Sequence, residues 1–252
     1  MRRIGIDVGG TGIKGAVVDL ASGAQYPWDY RATPTPATPD AVATAVVGMV
    51  DPWECGGRLG IALPFTLDHG IAATAGNISP EWIGRNAEEL FAARLGRKVV
   101  VLNDTDAAGI AEARYGTADH PGTVLVLTFG TGIGSAVLHG GKLEPNTELG
   151  HLHVDGQIAD GYVSLSALRT EHLRWPEWIG RANRFLEVVE QDHYDLIVIG
   201  GGLTHEAAHW AGKLVTRAPL RHARFFNRAG VIGAALAAEH GVHEVFRRSE
   251  QR

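Results

Sequence analysis

Near its start the chain reads Ile4-Gly5-Ile6-Asp7-Val8-Gly9-Gly10-Thr11-Gly12-Ile13-Lys14-Gly15-Ala16-Val17-Val18. It then reads Val124-Leu125-Val126-Leu127-Thr128-Phe129-Gly130-Thr131-Gly132-Ile133-Gly134-Ser135-Ala136-Val137-Leu138, a repeat in a register of 120 residues. In both stretches Gly-Thr-Gly-Ile separates two apolar runs of β character. Glycines let backbone N–H groups approach an anion closely and the Thr hydroxyl adds a donor, so such a turn binds phosphate without net charge. Two of them imply two similar half-molecules serving one phosphorylated ligand.

Working outward, Ile4–Val8 and Ala16–Leu20 read as strands around the first turn. Pro27, Pro34, Pro36 and Pro39 mark an extended connection that ends with Thr38 as N-cap and Pro39 at the first helical position, opening a helix from about Asp40 to Val50. Leu59–Leu63 is a short strand stopped by Pro64, and Asn86–Leu95 a helix with Gly96 just past its end. Val99–Leu102 is a β-branched strand that delivers Asn103 and Asp104 at its carboxyl end, before an Ala-rich helix stopping at Gly116. The carboxyl ends of strands are where α/β enzymes place working side chains. The second half repeats the scheme with a hairpin from Val124 to His139, turned at Gly140-Gly141. Beyond it come a helix over Trp178–Glu190, a strand over Leu196–Ile199 opening into Gly200-Gly201-Gly202, and a last helix near Ala229–His240. Arg247–Arg252 reads as a frayed tail.

At 252 residues, with 45% hydrophobic and 20% charged residues, the composition is that of a globular chain with room for a real core. The duplicated turn favours two domains. One cysteine, Cys55, rules out an internal disulfide or a Cys-rich zinc or iron–sulfur site, so a reducing cytoplasm is the expected setting. No signal-length apolar stretch comes after Met1-Arg2-Arg3, and no membrane-length run occurs. Net charge is −5, which gives no global attraction to nucleic acid. Charge is uneven, however. Ala207–Ala238 holds no Asp or Glu but carries Lys213, Arg217, Arg221, Arg224 and Arg228, either a solvated face or a strongly positive surface.

Several motifs carry rival readings. Gly10–Gly15 satisfies the dinucleotide pattern G-x-G-x-x-G, but the next residues, Ala16–Leu20, are strand-like where that motif needs a helix. No P-loop occurs. His205-Glu206-Ala207-Ala208-His209 matches the zinc motif H-E-x-x-H. No third ligand is evident, and the glycine triplet before it suits a ligand-facing turn, so no zinc is expected. Asp or Asn before an Ala-rich helix is a routine N-cap, yet Asp104 at a strand end is also placed to accept a proton from a hydroxyl attacking phosphorus. Glu148 and His151, in the polar loop Glu144–His151, are candidates for sugar hydroxyls.

The order Asp-x-Gly-Gly-Thr-Gly, Asn-Asp, Phe-Gly-Thr-Gly-Ile-Gly, Glu-Leu-Gly-His, Gly-Gly-Gly resembles the sugar kinases of the repressor/open-reading-frame/kinase (ROK) family. Within it the chain is most similar to the polyphosphate-dependent glucokinases and glucomannokinases. The likeness runs from Ile4 to about Leu236 and is carried by Asp7–Gly15, Leu102–Gly109, Leu127–Ala136, Pro145–His151 and Ala229–Ala235. It implies an α/β fold of the two-lobed actin/hexokinase type (ribonuclease H-like, duplicated) with an interdomain cleft. The smaller domain is expected to hold residues 1–103 and about 228–252, the larger 104–227.

The resemblance also implies roles. Asp104 is the general base on the sugar 6-hydroxyl; Asn103, Glu148, His151 and Asn77 bind the sugar; Asp7 orients Mg²⁺. Gly10, Thr11, Gly12, Lys14, Gly130, Thr131, Gly132, Gly201 and Gly202 bind the phosphate donor. Expected partners are a sugar and polyphosphate, with no nucleic acid or membrane, and a homodimer is the expected assembly. ATP-using relatives carry a Cys-rich zinc motif after Gly-His that this chain lacks. The polyphosphate branch tends to have basic residues after the Gly-His loop and after the glycine triplet, where this chain has Asp160-Gly161-Tyr162-Val163 and Thr204-His205-Glu206. The segment from Lys213 to Arg228 is a candidate replacement. The expected reaction is polyphosphate:glucose phosphotransfer, with mannose as a second acceptor. The alternatives are an ATP-dependent hexokinase of the same fold and a non-catalytic sugar sensor; the family's repressors carry an N-terminal helix-turn-helix, for which a first strand at Ile4 leaves no room.

Overall fold

The computed structural model describes residues 1–76 and 78–247. Its strands of three or more residues are β1 (Arg2–Val8), β2 (Gly12–Asp19), β3 (Gln25–Ala32), β4 (Leu59–Leu63), β5 (Val99–Asn103), β6 (Thr123–Phe129), β7 (Ile133–His139), β8 (Lys142–Glu144), β9 (Leu196–Gly201) and β10 (Leu220–His222). The α-helices are α1 (Pro39–Val50), α2 (Ala87–Leu95), α3 (Asp104–Tyr115), α4 (Ala159–Val163), α5 (Leu165–Thr170), α6 (Trp175–Val189), α7 (Ala207–Trp210) and α8 (Ala229–His240). They form two compact units, Met1–Ala111 with Arg228–Glu244, and Glu112–Asn227 with the stretch that begins at Val245.

The first unit holds a five-stranded sheet in the order β3-β2-β1-β4-β5. β1, β2 and β3 are antiparallel neighbours, whereas β1, β4 and β5 run parallel. Alternation along β1 sends Ile4, Ile6 and Val8 into a core with Val42, Val46 and Met49 of α1 and Phe91 of α2. The helix ends obey the capping chemistry of the sequence: the Thr38 side chain accepts from the Ala41 N–H and the Asn86 side chain from the Glu89 N–H. Gly5 and Gly60 meet α8. A Cβ on Gly60 would stand 1.8 Å from the Ala234 carbonyl oxygen and one on Gly5 2.0 Å from that of Val231, so only glycine permits this backbone contact. That contact explains why Ala229–Ala238 is buried all round.

The second unit repeats the order as β8-β7-β6-β9-β10. β6, β7 and β8 are antiparallel neighbours and β6, β9 and β10 parallel. Leu125, Leu127 and Phe129 of β6 pack with Trp178, Phe185 and Leu186 of α6. Phe129 meets both aromatic rings edge-on.

Four expectations change. The Pro27 stretch is no connection but the edge strand β3, a place where proline's missing N–H costs no ladder bond. β10 was unexpected as a strand. The α6 helix begins at Trp175, three residues early, because the Glu177 carboxylate accepts from the Arg174 N–H and closes the first turn. The boundary falls within α3 rather than at its start, and the C-terminal stretch from Val245 joins the second unit: Val245 bridges to Lys142, and the Phe246 N–H donates to the Gly141 carbonyl.

Candidate functional site

The two glycine turns are related but unequal. In the first, Val8 pairs with Ile13, so Gly9–Gly12 make a four-residue turn closed by the Gly9 N–H donating to the Gly12 carbonyl at 2.9 Å. Thr33 holds it from one side: its hydroxyl donates to the Gly9 carbonyl at 2.6 Å and its N–H to the Thr11 carbonyl. Gly10 and Thr11 are left exposed. In the second, Phe129 pairs with Ile133, and the three residues Gly130–Gly132 are closed by the Gly130 N–H donating to the Gly132 carbonyl at 2.9 Å. Thr131 is exposed, and a Cβ on Gly130 would meet only open space.

At the end of β5, two neighbouring polar residues play different structural parts. The Asn103 side-chain oxygen accepts from the N–H groups of Thr105 (2.8 Å) and Asp106 (3.1 Å), and its amide nitrogen donates to the Phe65 carbonyl at 3.4 Å. Asn103 therefore caps α3 and frees Asp104, whose carboxylate accepts from the Thr105 hydroxyl at 3.3 Å. Burial and then the nearby Asp7 carboxylate push the Asp104 acid up to about 7, against smaller opposing pulls from Thr105 and Lys14. Asp7, 8% exposed, pairs with the Lys14 ammonium at 3.0 Å. Gly230, in the first turn of α8, packs against the Asp7 carboxyl so closely that a Cβ would stand 2.8 Å from it. The first unit thus gathers Asp7, Lys14, Asn103 and Asp104.

In the second unit, buried Ser135 of β7 holds the Glu144–His151 loop. Its hydroxyl donates to the Thr147 carbonyl, the Thr147 hydroxyl donates back to the Ser135 carbonyl, and the Leu149 N–H donates to the Ser135 hydroxyl. This presents Glu148 and His151 on one short turn, Oε2 to Nε2 3.9 Å. Burial raises the Glu148 acid, His151 pulls it back and Asp160 raises it further.

Asp160 carries no sequence signal of a site residue. From α4 it accepts from the Ile133 N–H at 2.6 Å, and its carboxylate lies 3.2 Å from where a Cβ on Gly132 would sit and 2.4 Å from one on Gly150. One carboxylate is thereby hydrogen-bonded at the end of the Gly130–Gly132 turn and packed against Gly150 in the loop of Glu148 and His151. A lone acid in Ile158-Ala159-Asp160-Gly161 belongs to no motif that foretells this.

A family model for the ROK family matches residues 3–168. The chain belongs to the ROK family. Among ROK relatives, the polyphosphate glucokinase of Mycobacterium tuberculosis (strain CDC 1551 / Oshkosh) is 44% identical over 93% of this chain and 90% of its own. The polyphosphate glucokinase of Mycobacterium leprae (strain TN) is 42% identical over 94% of this chain and 74% of its own. The crystal structure of inorganic polyphosphate/ATP-glucomannokinase from Arthrobacter sp. strain KM has a TM-score of 0.90 at 41% identity, covering 94% of this chain and 98% of that one. The repeated sheet order is that of the duplicated actin/hexokinase-like fold of ROK sugar kinases.

The remaining residues find plain places in this ROK chain. Gly201, at φ 75, lies against the Phe129 backbone, where a Cβ would approach the carbonyl oxygen to 2.7 Å, so close strand packing already requires this glycine. His205 stacks on Phe226 and His209 on Trp175, in a 3₁₀ turn (Gly202–Glu206) and in α7 respectively, and not on one continuous helix. Among the described residues no group of three or more His, Cys, Asp or Glu is placed to hold a metal ion. No helix among them is long and apolar enough to cross a membrane. Asn77 lies outside the described residues.

Proposed function

We propose that this ROK-family chain transfers a phosphoryl group from inorganic polyphosphate to the 6-hydroxyl of glucose, with mannose as a second acceptor. The observation that carries the reading is Asp104: released from capping by Asn103 and held at about 7, it is a base matched to neutral pH. Asp104 takes the hydroxyl proton as the oxygen attacks the terminal phosphorus. The P–O bond to the next phosphate breaks, leaving sugar 6-phosphate and a polyphosphate one unit shorter. The exposed Thr131 and open Gly130 suit the donor, and Glu148 and His151 suit sugar hydroxyls.

Mg²⁺ fits Asp7, since this ion keeps most of its waters and is held by one or two carboxylates, and Asp7 keeps one oxygen clear of Lys14. It would neutralise charge on the donor phosphates. The name of the Arthrobacter relative, at 41% identity, supports ATP as a second donor. A homodimer is proposed as the assembly, and the free Cys55 suits a cytoplasmic setting. The deciding assay supplies purified protein with glucose, Mg²⁺ and either polyphosphate or ATP. Glucose 6-phosphate is expected from polyphosphate; turnover with ATP alone would reassign the donor.

A further inference from the structure

We propose that Arg221 and Arg224 form a distal site for the unreacted length of the polyphosphate chain, at the carboxyl edge of the second unit's sheet. The proposal rests on polyphosphate being the donor and adds where the chain runs beyond the transferred phosphate.

Within Glu112–Asn227 the segment Lys213–Arg224 carries four cations and no acid. Among the described residues no carboxylate forms an ion pair with Lys213, Arg217, Arg221 or Arg224. The two acids that do reach this segment bind its backbone. Buried Glu190 accepts from the N–H groups of Arg217 and Ala218, and fully buried Glu112 from those of Arg224 and Phe225. The backbone is thereby fixed at Arg217–Ala218 and at Arg224, while Arg217, Arg221 and Arg224 remain exposed.

Arg221 and Arg224 converge on one place. Arg221 Nη1 donates to the Thr117 carbonyl at 3.4 Å and Arg224 Nη1 to the Tyr115 carbonyl at 3.0 Å, at the C-terminal end of α3. Each fork is oriented by a carbonyl and keeps further N–H donors for an anion. Their position is set by the sheet. The Ala223 N–H donates to the Ile199 carbonyl, and Ala223 lies against Gly200. Gly200 and Gly201 in turn pair with Thr128 and Phe129, just before the Gly130–Gly132 turn. Arg224 therefore stands two strand spacings, roughly 10 Å, along the edge from that turn. A chain of phosphates seated at the turn and running across the ends of β9 and β10 reaches it, whereas a short donor does not need it.

The test compares long-chain polyphosphate with tripolyphosphate, using the intact protein and an Arg221→Ala/Arg224→Ala variant. The expected result is a KM for long chains raised tenfold or more with kcat unchanged. Tripolyphosphate kinetics should be unaltered, which also serves as the folding control. The salt dependence of long-chain KM should become shallower by one to two in log–log slope, as phosphate contacts are lost. An unchanged long-chain KM, or an equal rise for both donors, overturns the distal site while leaving the donor assignment standing. Wild-type protein that uses neither polyphosphate would remove the donor assignment and the distal site together.

Discussion

Lys14 Nζ stands 3.0 Å from Asp7 Oδ2, and the two residues face each other directly in the β1–β2 register. The pair leaves the Asp7 charge only partly neutralised, since Asp7 still raises the Asp104 acid while Lys14 lowers it. With the Asp104 acid at about 7 and the carboxylate as the working form, kcat/KM for glucose should rise with pH and reach half its plateau near 7. Asp7→Asn removes a raising influence, so its midpoint should move to lower pH. A midpoint that stays put or moves up would show that Asp7 does not act on this acid.

Asp104→Asn should cut turnover by roughly 10²- to 10⁴-fold, the usual worth of a general base. Because Asn103 does the capping, the loss should come without loss of fold. An acid raised in the folded state binds more protons there than in the unfolded chain, so its stabilising contribution is complete below about pH 4 and lost as pH rises through about 7. The Asn variant lacks that loss. Its Tm relative to wild type should climb between pH 4 and 7 and stay higher above; a lower Tm at pH 8 would assign Asp104 a structural role.

Asp160→Ala leaves the Ile133 N–H without its acceptor and should destabilise the protein by about 1–3 kcal/mol while lowering kcat/KM for both substrates. Asp160→Asn keeps an acceptor but removes the charge. It should recover most of the stability and lower the Glu148 pKa, which titration of Glu148 by carbon-13 NMR would read. Equal defects in the two variants would mean that charge, not the hydrogen bond, is what the turn requires.

Gly60→Ala should be among the most damaging small substitutions in the first unit. Its methyl would sit 1.8 Å from the Ala234 carbonyl oxygen, and overpacking of this kind costs about 1–3 kcal/mol or more. Denaturant unfolding checks it; a loss below about 0.5 kcal/mol would mean that α8 shifts freely.

Legibility tracked how local each signal was. α1 was readable because Thr38 and Pro39 are its own start signals, and α8 matched Ala229–His240 because a long apolar run ending at Gly241 needs no partner to be recognised. β3 was not readable. Tyr26, Trp28 and Tyr30 alternate as a strand should, yet all three are exposed and the positions between them hold Pro27, Asp29 and Arg31, so neither face of the strand reads as a buried apolar one. β10 is three residues long, and its pairing with β9 is a contact between stretches some twenty residues apart.

From the sequence alone came the duplication, the two glycine turns and the Asn103-Asp104 pair, because each is a short run of residues whose backbone chemistry is local. The tertiary structure decided which of that pair caps the helix and which does not, how far burial and Asp7 move the Asp104 acid, and that Asp160 accepts from Ile133 while packing against Gly150. Those outcomes depend on groups distant in the chain approaching within a few ångströms, and desolvation and hydrogen bonding act only at that range.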